Sequence, residues 1–458
     1  MLEFSVGQIM AAIGGNLLQG DPQTPLRGLS TDSRQVQSGE LFVALRGEKF
    51  DGHQFLEAVA RAGAGAAVVM APVEAPASLA LLQVDDTQSA LGAIGRAHRQ
   101  RFLVPVIGIT GSTGKTTTKD LVASVLEQAY PVIKTERNFN NEIGLPLTLL
   151  KMQPTTAAAV VEMGMRGLGQ IRQLAQIALP TVAVVTNVGI SHLELLGSKE
   201  NIAQAKGELV AELDPTGLAV LNGDDAYVRS MRKLTKAKTV FYGIDAPNLD
   251  YRATAIRRQH SGCTFVARVP GGELTVNLPL PGRHNIMNAL AAIAVAKELG
   301  LSDPAVQTGL NAPVMTGKRL HIIEYHGYRI IDDTYNASPT SVRAALEVLG
   351  GGPAESRRFA VLADMLELGP ESARFHRELG EYAAAIGVDL LMGYGDLARE
   401  YVAGFNTVRP GATHYRCKTD LIAELRGLLQ SGDTILVKGS RSMHMEEIVA
   451  ALTNKEDE

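Results

Sequence analysis

The stretch best suited to chemistry is Val106-Ile107-Gly108-Ile109-Thr110-Gly111-Ser112-Thr113-Gly114-Lys115-Thr116-Thr117-Thr118. An apolar strand enters a glycine-rich loop, and Gly-Lys-Thr-Thr opens a helix carrying Leu121, Val122, Val125 and Leu126. Such a loop turns its backbone N–H groups onto phosphate oxygens, and the helix N-terminus adds partial positive charge. Lys115 would reach the β- and γ-phosphates, and the Thr116 hydroxyl a Mg²⁺ ion. The strict pattern wants glycine at position 109, where Ile109 stands, so the loop is a variant. Phosphoryl transfer also needs a metal-binding carboxylate near the end of a neighbouring strand. Glu162 closes the apolar run that begins at Ala158 and is so placed. His192 follows the next apolar run, on the sheet edge where open α/β sheets bind ligands. Lys206 lies on an ordinary helical pattern and, taken alone, reads as a solvated lysine.

The elements that must hold these residues alternate in type. Strands at Val104 to Ile109, Ala157 to Glu162, Val182 to Thr186 and Leu218 to Leu221 are separated by helical patterns. Strand–helix–strand alternation implies right-handed crossovers and a parallel sheet covered on both faces. After Tyr242 the runs at Tyr251 to Ile256, Cys263 to Val269 and Glu273 to Leu278 read as a small antiparallel sheet. An Ala-rich helix from Gly282 to Leu299 follows. Before this unit lies a small α/β domain, residues 1–84, opened by a helix with Val6, Ile9, Met10 and Ile13 and stopped by Gly14-Gly15. The central domain is expected over 85–313, and a third, Rossmann-like α/β domain over 314–458. The latter begins with a strand from Ile322 to Ile331 and has no Gly-x-Gly-x-x-Gly fingerprint, so a dinucleotide is not indicated. The turn-rich stretch 312–318 joins the last two domains and would serve as a hinge. The closing residues 454–458 read as a solvated acidic tail.

Five motifs carry a resemblance over nearly the whole chain and in order. They are Gly111 to Thr117, Asn140-Asn141-Glu142-Ile143-Gly144-Leu145-Pro146, Glu162-Met163-Gly164, Asn187-Val188-Gly189-Ile190-Ser191-His192 and Gly282-Arg283-His284-Asn285-Ile286-Met287-Asn288. This set resembles the Mur ligases, ATP-dependent amide-forming enzymes of peptidoglycan precursor synthesis. Asp332-Asp333-Thr334-Tyr335-Asn336-Ala337-Ser338-Pro339, Asp364-Met365-Leu366-Glu367-Leu368-Gly369 and Leu436-Val437-Lys438-Gly439-Ser440-Arg441 fit the branch that adds D-alanyl-D-alanine to UDP-N-acetylmuramoyl-tripeptide. The diaminopimelate-adding branch carries Asp-Asn-Pro-Arg, which is absent here.

The resemblance implies an acyl-phosphate mechanism using ATP and Mg²⁺. It implies that Gly111, Ser112, Thr113, Gly114, Lys115, Thr116 and Thr117 hold the phosphates, and that Thr116, Glu162 and His192 serve two Mg²⁺ sites. Asn141 would lie near the γ-phosphate. Lys206 matches a position where the lysine is often carbamylated, which would make it a metal ligand. Asn285 and Asn288, three apart on one helix face, would contact adenine, with Arg319 on the phosphates and Asp333 on the ribose. Tyr335, Asn336 and Ser338 would line the amine-substrate side. Ser30, Asp32, Ser33 and Arg34 would hold the uridine diphosphate, with His53 nearby.

Bulk properties agree. The 458 residues correspond to roughly three domains. Lys+Arg 44 against Asp+Glu 48 leaves a net charge of −4, without the basic surplus of a general nucleic-acid binder. Cys263 and Cys417 form neither a disulfide framework nor a zinc spacing, and both read as buried or half-buried thiols of a reducing compartment. The N-terminus lacks a basic n-region, and no apolar run reaches the roughly 20 residues of a membrane span. A soluble, monomeric, cytoplasmic enzyme with small-molecule substrates is expected. The competing readings are a sister amide ligase, such as the diaminopimelate-adding one or a folylpolyglutamate synthetase, and a P-loop GTPase. The latter would need Asn-Lys-x-Asp where the chain has Asn222-Gly223-Asp224-Asp225.

Overall fold

The computed structural model describes residues 3–48, 50–259, 262–317, 320–351 and 355–453. Three main sheets follow one another along the chain. The first has five strands in the order Asn16–Gln19, Ala80–Gln83, Ala66–Val69, Leu41–Val43, Leu29–Ser30, all neighbours parallel except the first pair. Helix Thr87–Arg99 closes its core, because Ala90, Leu91 and Ile94 pack with Val6, Ile9, Val43 and Val68.

The central sheet has nine strands. From one edge, Val132–Lys134, Ala158–Glu162, Val106–Thr110, Val182–Val185, Leu218–Asn222, Lys238–Gly243 and Tyr251–Gln259 all run parallel. The antiparallel strands expected after Tyr242 are present, but they are no separate sheet. Tyr251–Gln259 pairs parallel with Lys238–Gly243, and Gly262–Val269 and Gly272–Leu278 then extend the same sheet antiparallel. The run of Val and Ala in Ala158–Glu162 and Val182–Val185 is buried throughout, as a sheet covered on both faces requires. Small side chains at Ala289, Ala291, Ala292 and Ala294 let helix Arg283–Glu298 lie close in the core beside the P-loop helix Lys115–Leu126.

The third sheet has six strands, ordered His321–Tyr325, Tyr328–Asp333, Thr434–Lys438, Arg358–Ala363, Leu390–Tyr394, Ala412–Tyr415. The single strand expected over 322–331 is instead a hairpin. His326 and Gly327 both take positive φ (+46° and +82°), the geometry of a tight turn between twisted strands. Cys263 is buried, but Cys417 is exposed at the head of helix Lys418–Leu428, contrary to expectation. The acidic tail 454–458 lies outside the described residues. Among the described residues, no helix is long and apolar enough to cross a membrane.

The stretch between the central and third sheets is tied to the P-loop helix. Val314 N donates to Ser124 Oγ (2.9 Å) and Thr316 N to Asp120 Oδ2 (2.8 Å). Lys119 Nζ donates to Thr316 Oγ1 (2.9 Å) and Thr135 O (2.6 Å), and its 3.1 Å ion pair with Asp120 is fully buried. The linker is thus anchored as far as Thr316. Gly317 follows at φ +81° with open space around it.

The third unit contains an internal titration marker. His376 is fully buried, its Nδ1 donating to Ser372 O (2.6 Å) and its Nε2 accepting from Met365 N (2.9 Å). Burial pushes its pKa down. The unfolded chain therefore binds the proton first, and stability falls as pH drops below the ordinary His value of about 6.5. His376→Gln keeps an acceptor for Met365 N but does not titrate. The variant is expected to melt lower at pH 7.5, by about 1–2 kcal/mol, and to lose less on acidification to pH 5.5 than the wild type. Equal acid slopes in thermal melts would refute this.

Candidate active site

Strand Val106–Thr110 lies between Ala158–Glu162 and Val182–Val185 in the central sheet. Ile109 is still in the ladder, opposite Glu162 and Val184, which explains the missing glycine: the loop begins only at Gly111. Gly111 (φ +152°) leaves no room for a Cβ, which would sit 1.8 Å from Thr186 Oγ1. At Gly114 (φ +79°) a Cβ would come within 2.6 Å of Asn288 Oδ1. Asn187 clamps the loop, Oδ1 accepting from Thr113 N (3.0 Å) and Nδ2 donating to Thr113 O (3.1 Å). Ser112 Oγ accepts from Gly189 N (2.8 Å). Lys115 Nζ folds back to donate to Gly111 O (2.9 Å).

Behind the loop, Thr116 Oγ1 donates to Glu162 Oε2 (2.6 Å), and Asn140 Nδ2 donates to Oε1 of the same carboxylate (2.8 Å). The Asn-Asn pair therefore divides its work. Asn141 also lines the cavity, but its Oδ1 accepts from Gly144 N (2.9 Å) at the start of helix Gly144–Leu149. His192 caps the short helix Leu193–Leu196 at φ +61°. Its Nδ1 stands 2.7 Å from Glu367 Oε2, an ion-pair separation without the alignment of a hydrogen bond. Burial pushes its pKa down; Glu367 opposes this, and Lys115 and Lys206 add to it. Lys206, on helix Lys199–Ala211, is only 2% exposed, so it is not the solvated lysine that its pattern suggests. Burial, then the nearby Lys115 charge, hold its pKa well below the usual lysine range.

These groups face the third unit across a cavity of about 1060 Å³. From that side come Asp333, Tyr335, Asn336, Ser338, Glu367 and Lys438. Asp333 is paired through Oδ2 with Lys438 Nζ (2.5 Å), which also donates to Asn336 O (2.8 Å). Ser338 caps helix Pro339–Gly350 by accepting from Ser341 N. Asn285 and Asn288 reach the cavity too, with amides already engaged. Asn285 Nδ2 donates to Pro281 O (2.7 Å), Asn288 Nδ2 to Asn285 Oδ1 (3.2 Å), and Asn288 Oδ1 accepts from Thr118 Oγ1 (3.2 Å). Arg319 lies outside the described residues.

Ser30, Asp32, Ser33 and Arg34 are not among the cavity's lining residues. They form a turn of the first unit in which Ser30 Oγ donates to Asp32 O (3.0 Å). Asp32 binds Arg34 through two bonds of 2.9 and 2.8 Å, and this guanidinium holds the Asp32 carboxyl at about 2. His53 is spent within the fold, Nδ1 on Asp51 Oδ1 (2.6 Å) and Nε2 accepting from Met70 N (2.9 Å). Sequence reasoning missed Asn140, Asn187, Glu367 and Lys438 as site residues. All four lie inside the motifs quoted above, but only the folded chain shows which member of each motif turns inward.

A variant P-loop backed by a carboxylate and facing a second α/β unit across one cavity defines a nucleotide-dependent enzyme with its site at a domain junction. Family models describe the three segments as Mur ligase family, catalytic domain (residues 25–99), Mur ligase middle domain (109–296) and Mur ligase, glutamate ligase domain (318–441). The chain belongs to the Mur ligase family. It is 39% identical to the UDP-N-acetylmuramoyl-tripeptide--D-alanyl-D-alanine ligase of Bacillus subtilis (strain 168), over 99% of each chain. A crystal structure of MurF from Acinetobacter baumannii superposes with a TM-score of 0.93 at 34% identity, covering 99% of each chain. The Thermotoga maritima MurF ligase in complex with ADP gives 0.84 at 29% identity, covering 93% of this chain and 97% of that one.

Proposed function

We propose that this chain is an ATP-dependent ligase that joins D-alanyl-D-alanine to UDP-N-acetylmuramoyl-tripeptide, yielding the pentapeptide product, ADP and phosphate. The observation that carries the proposal is the single cavity in which Lys115, Glu162, His192 and Lys206 face Asp333, Tyr335 and Asn336. The tripeptide carboxylate takes the γ-phosphoryl group of ATP. The D-alanyl-D-alanine amine then attacks the acyl phosphate, an amide bond forms and phosphate leaves. The protein's part is to hold these groups in line and to offset their negative charge.

We assign residues 1–84 to the UDP-sugar, 85–313 to ATP and 314–458 to the incoming amine. Gly111 to Thr117 cradle the phosphates. Asp333 meets the ribose once its pair with Lys438 opens. Asn285 and Asn288 edge the adenine site, Arg319 joins the phosphates on closure, and Tyr335, Asn336 and Ser338 edge the amine site. Ser30, Asp32, Ser33 and Arg34 receive the uridine diphosphate.

Mg²⁺ fits the donor set. Thr116 and Glu162 bring a hydroxyl and a carboxylate oxygen within 2.6 Å of each other, with His192 on the same cavity. Among the described residues no trio of His, Cys, Asp or Glu could hold a metal ion. Thr116, Glu162, His192 and a modified Lys206 would between them hold two Mg²⁺ ions, which would neutralise phosphate and carboxylate charge as they meet. Because the linker is anchored through Thr316, we place the closing pivot at Gly317. The enzyme acts as a cytoplasmic monomer, where ATP and nucleotide-sugars are available.

The test is phosphate release with ATP, Mg²⁺ and both substrates. Release is expected only when tripeptide and dipeptide are both present. Equal release without the dipeptide, or none with both, would refute the proposal. Scattering should show compaction with substrates and an ATP analogue.

A further inference from the structure

Glu367 is an acidic side chain that the third unit sends to His192 of the central one. Its Oε2 stands 2.7 Å from His192 Nδ1. The contact joins two non-glycine residues that both sit in the left-handed region, His192 at φ +61° and Glu367 at φ +63°. Such backbone costs free energy and persists only where surrounding structure enforces it. Here the enforcement is visible. Met365 N donates to His376 Nε2 (2.9 Å), Leu366 N to Ser440 Oγ (2.9 Å) and Ser440 N to Asp364 O (3.1 Å), so the three residues leading into Glu367 are all fastened. On the other side, Glu194 N points at Glu367 O (3.5 Å).

An imidazole offers two nitrogens, and the group on one decides what the other presents. Histidines that bind metal usually give their second N–H to a carboxylate, which fixes tautomer and ring orientation. In this chain Nδ1 of His192 is buried against Glu367, leaving Nε2 as the nitrogen for a ligand in the cavity. The carboxylate belongs to a different unit from the histidine, so the arrangement exists only when the two units are together.

We infer that Glu367 is a positioning residue. It orients His192 on closure, so the histidine becomes a competent cation ligand only after the third unit has docked. This rests on the proposed role of His192 at the phosphates. A short turn of the ring converts the 2.7 Å contact into an N–H···O bond.

The test compares the full-length wild type with Glu367→Gln and Glu367→Ala. Readouts are Mn²⁺ affinity by electron paramagnetic resonance with ATP analogue and tripeptide bound, scattering-derived compaction, and kcat and KM. The inference predicts that Glu367→Gln compacts like wild type and keeps KM for ATP within about 3-fold. It also predicts that the variant binds Mn²⁺ about 10–100-fold more weakly and loses kcat in step. Glu367→Ala should show the same metal defect at unchanged melting temperature. Wild-type Mn²⁺ affinity in both variants would overturn the inference, as would lost compaction with all KM values rising together, which is the mark of a simple latch. A wild type that binds Mn²⁺ and ATP but forms no product would refute the proposed function instead.

Discussion

Lys115→Met is expected to reduce phosphate release by about 10²–10³-fold, the cost of deleting a donor aimed at developing charge. The side chain is held at the loop before any ligand arrives, through its bond to Gly111 O (2.9 Å). Little of the loss should therefore appear as misfolding. Methionine keeps the length and removes the charge, so the melting temperature should stay near wild type. The substitution also tests the electrostatics around it. Lys115 lowers the pKa of both Lys206 and His192. Removing it should let both groups rise toward their ordinary values, visible as an upward shift of the acid limb of residual activity. A variant that keeps wild-type turnover would remove Lys115 from the reaction altogether.

The sequence showed what the fold would be wherever apolar period and loop chemistry agreed. The parallel sheet, the P-loop and the strand-end Glu162 were all legible because each depends on local residue types. It failed where the outcome depended on a neighbour distant in sequence. Nothing in Asn140-Asn141 tells which amide meets Glu162; that follows from the return of Gly164 N onto Asn140 O (2.8 Å). The hairpin at His326-Gly327 is hidden between the pairs Ile322-Ile323 and Ile330-Ile331, which read as one strand, and positive φ at a non-glycine residue is uncommon. The Tyr251–Gln259 strand joins the main sheet because Tyr242 and Gly243 leave an open edge for it, which periodicity cannot show. Ser338, Asn285 and Asn288 were marked for ligands, yet the fold itself uses their side chains. Such residues serve two purposes: they build the wall that the ligand meets. Glu367 belongs to a motif that read only as a family mark, because its partner His192 is on another unit.

Lys206 offers the other large effect. A charged ammonium at 2% exposure is costly unless paired, by several kcal/mol. Burial, with the nearby Lys115 charge adding to it, drives its pKa well down. A neutral amine is the form that attacks CO₂, giving a carbamate and one proton. That would place an anion on the same cavity as His192 and Glu162. Lys206→Ala is therefore expected to lose activity by about 10²–10³-fold and to recover part of it with millimolar acetate or formate. Labelled bicarbonate should give a carbamate carbon signal in wild type that is absent from the variant. If neither the rescue nor the signal is found, the lysine acts as an amine, and its depressed pKa must be offset by the phosphates it meets. If the rescue appears, the anion is what the site requires, and the lysine serves as the arm that carries it.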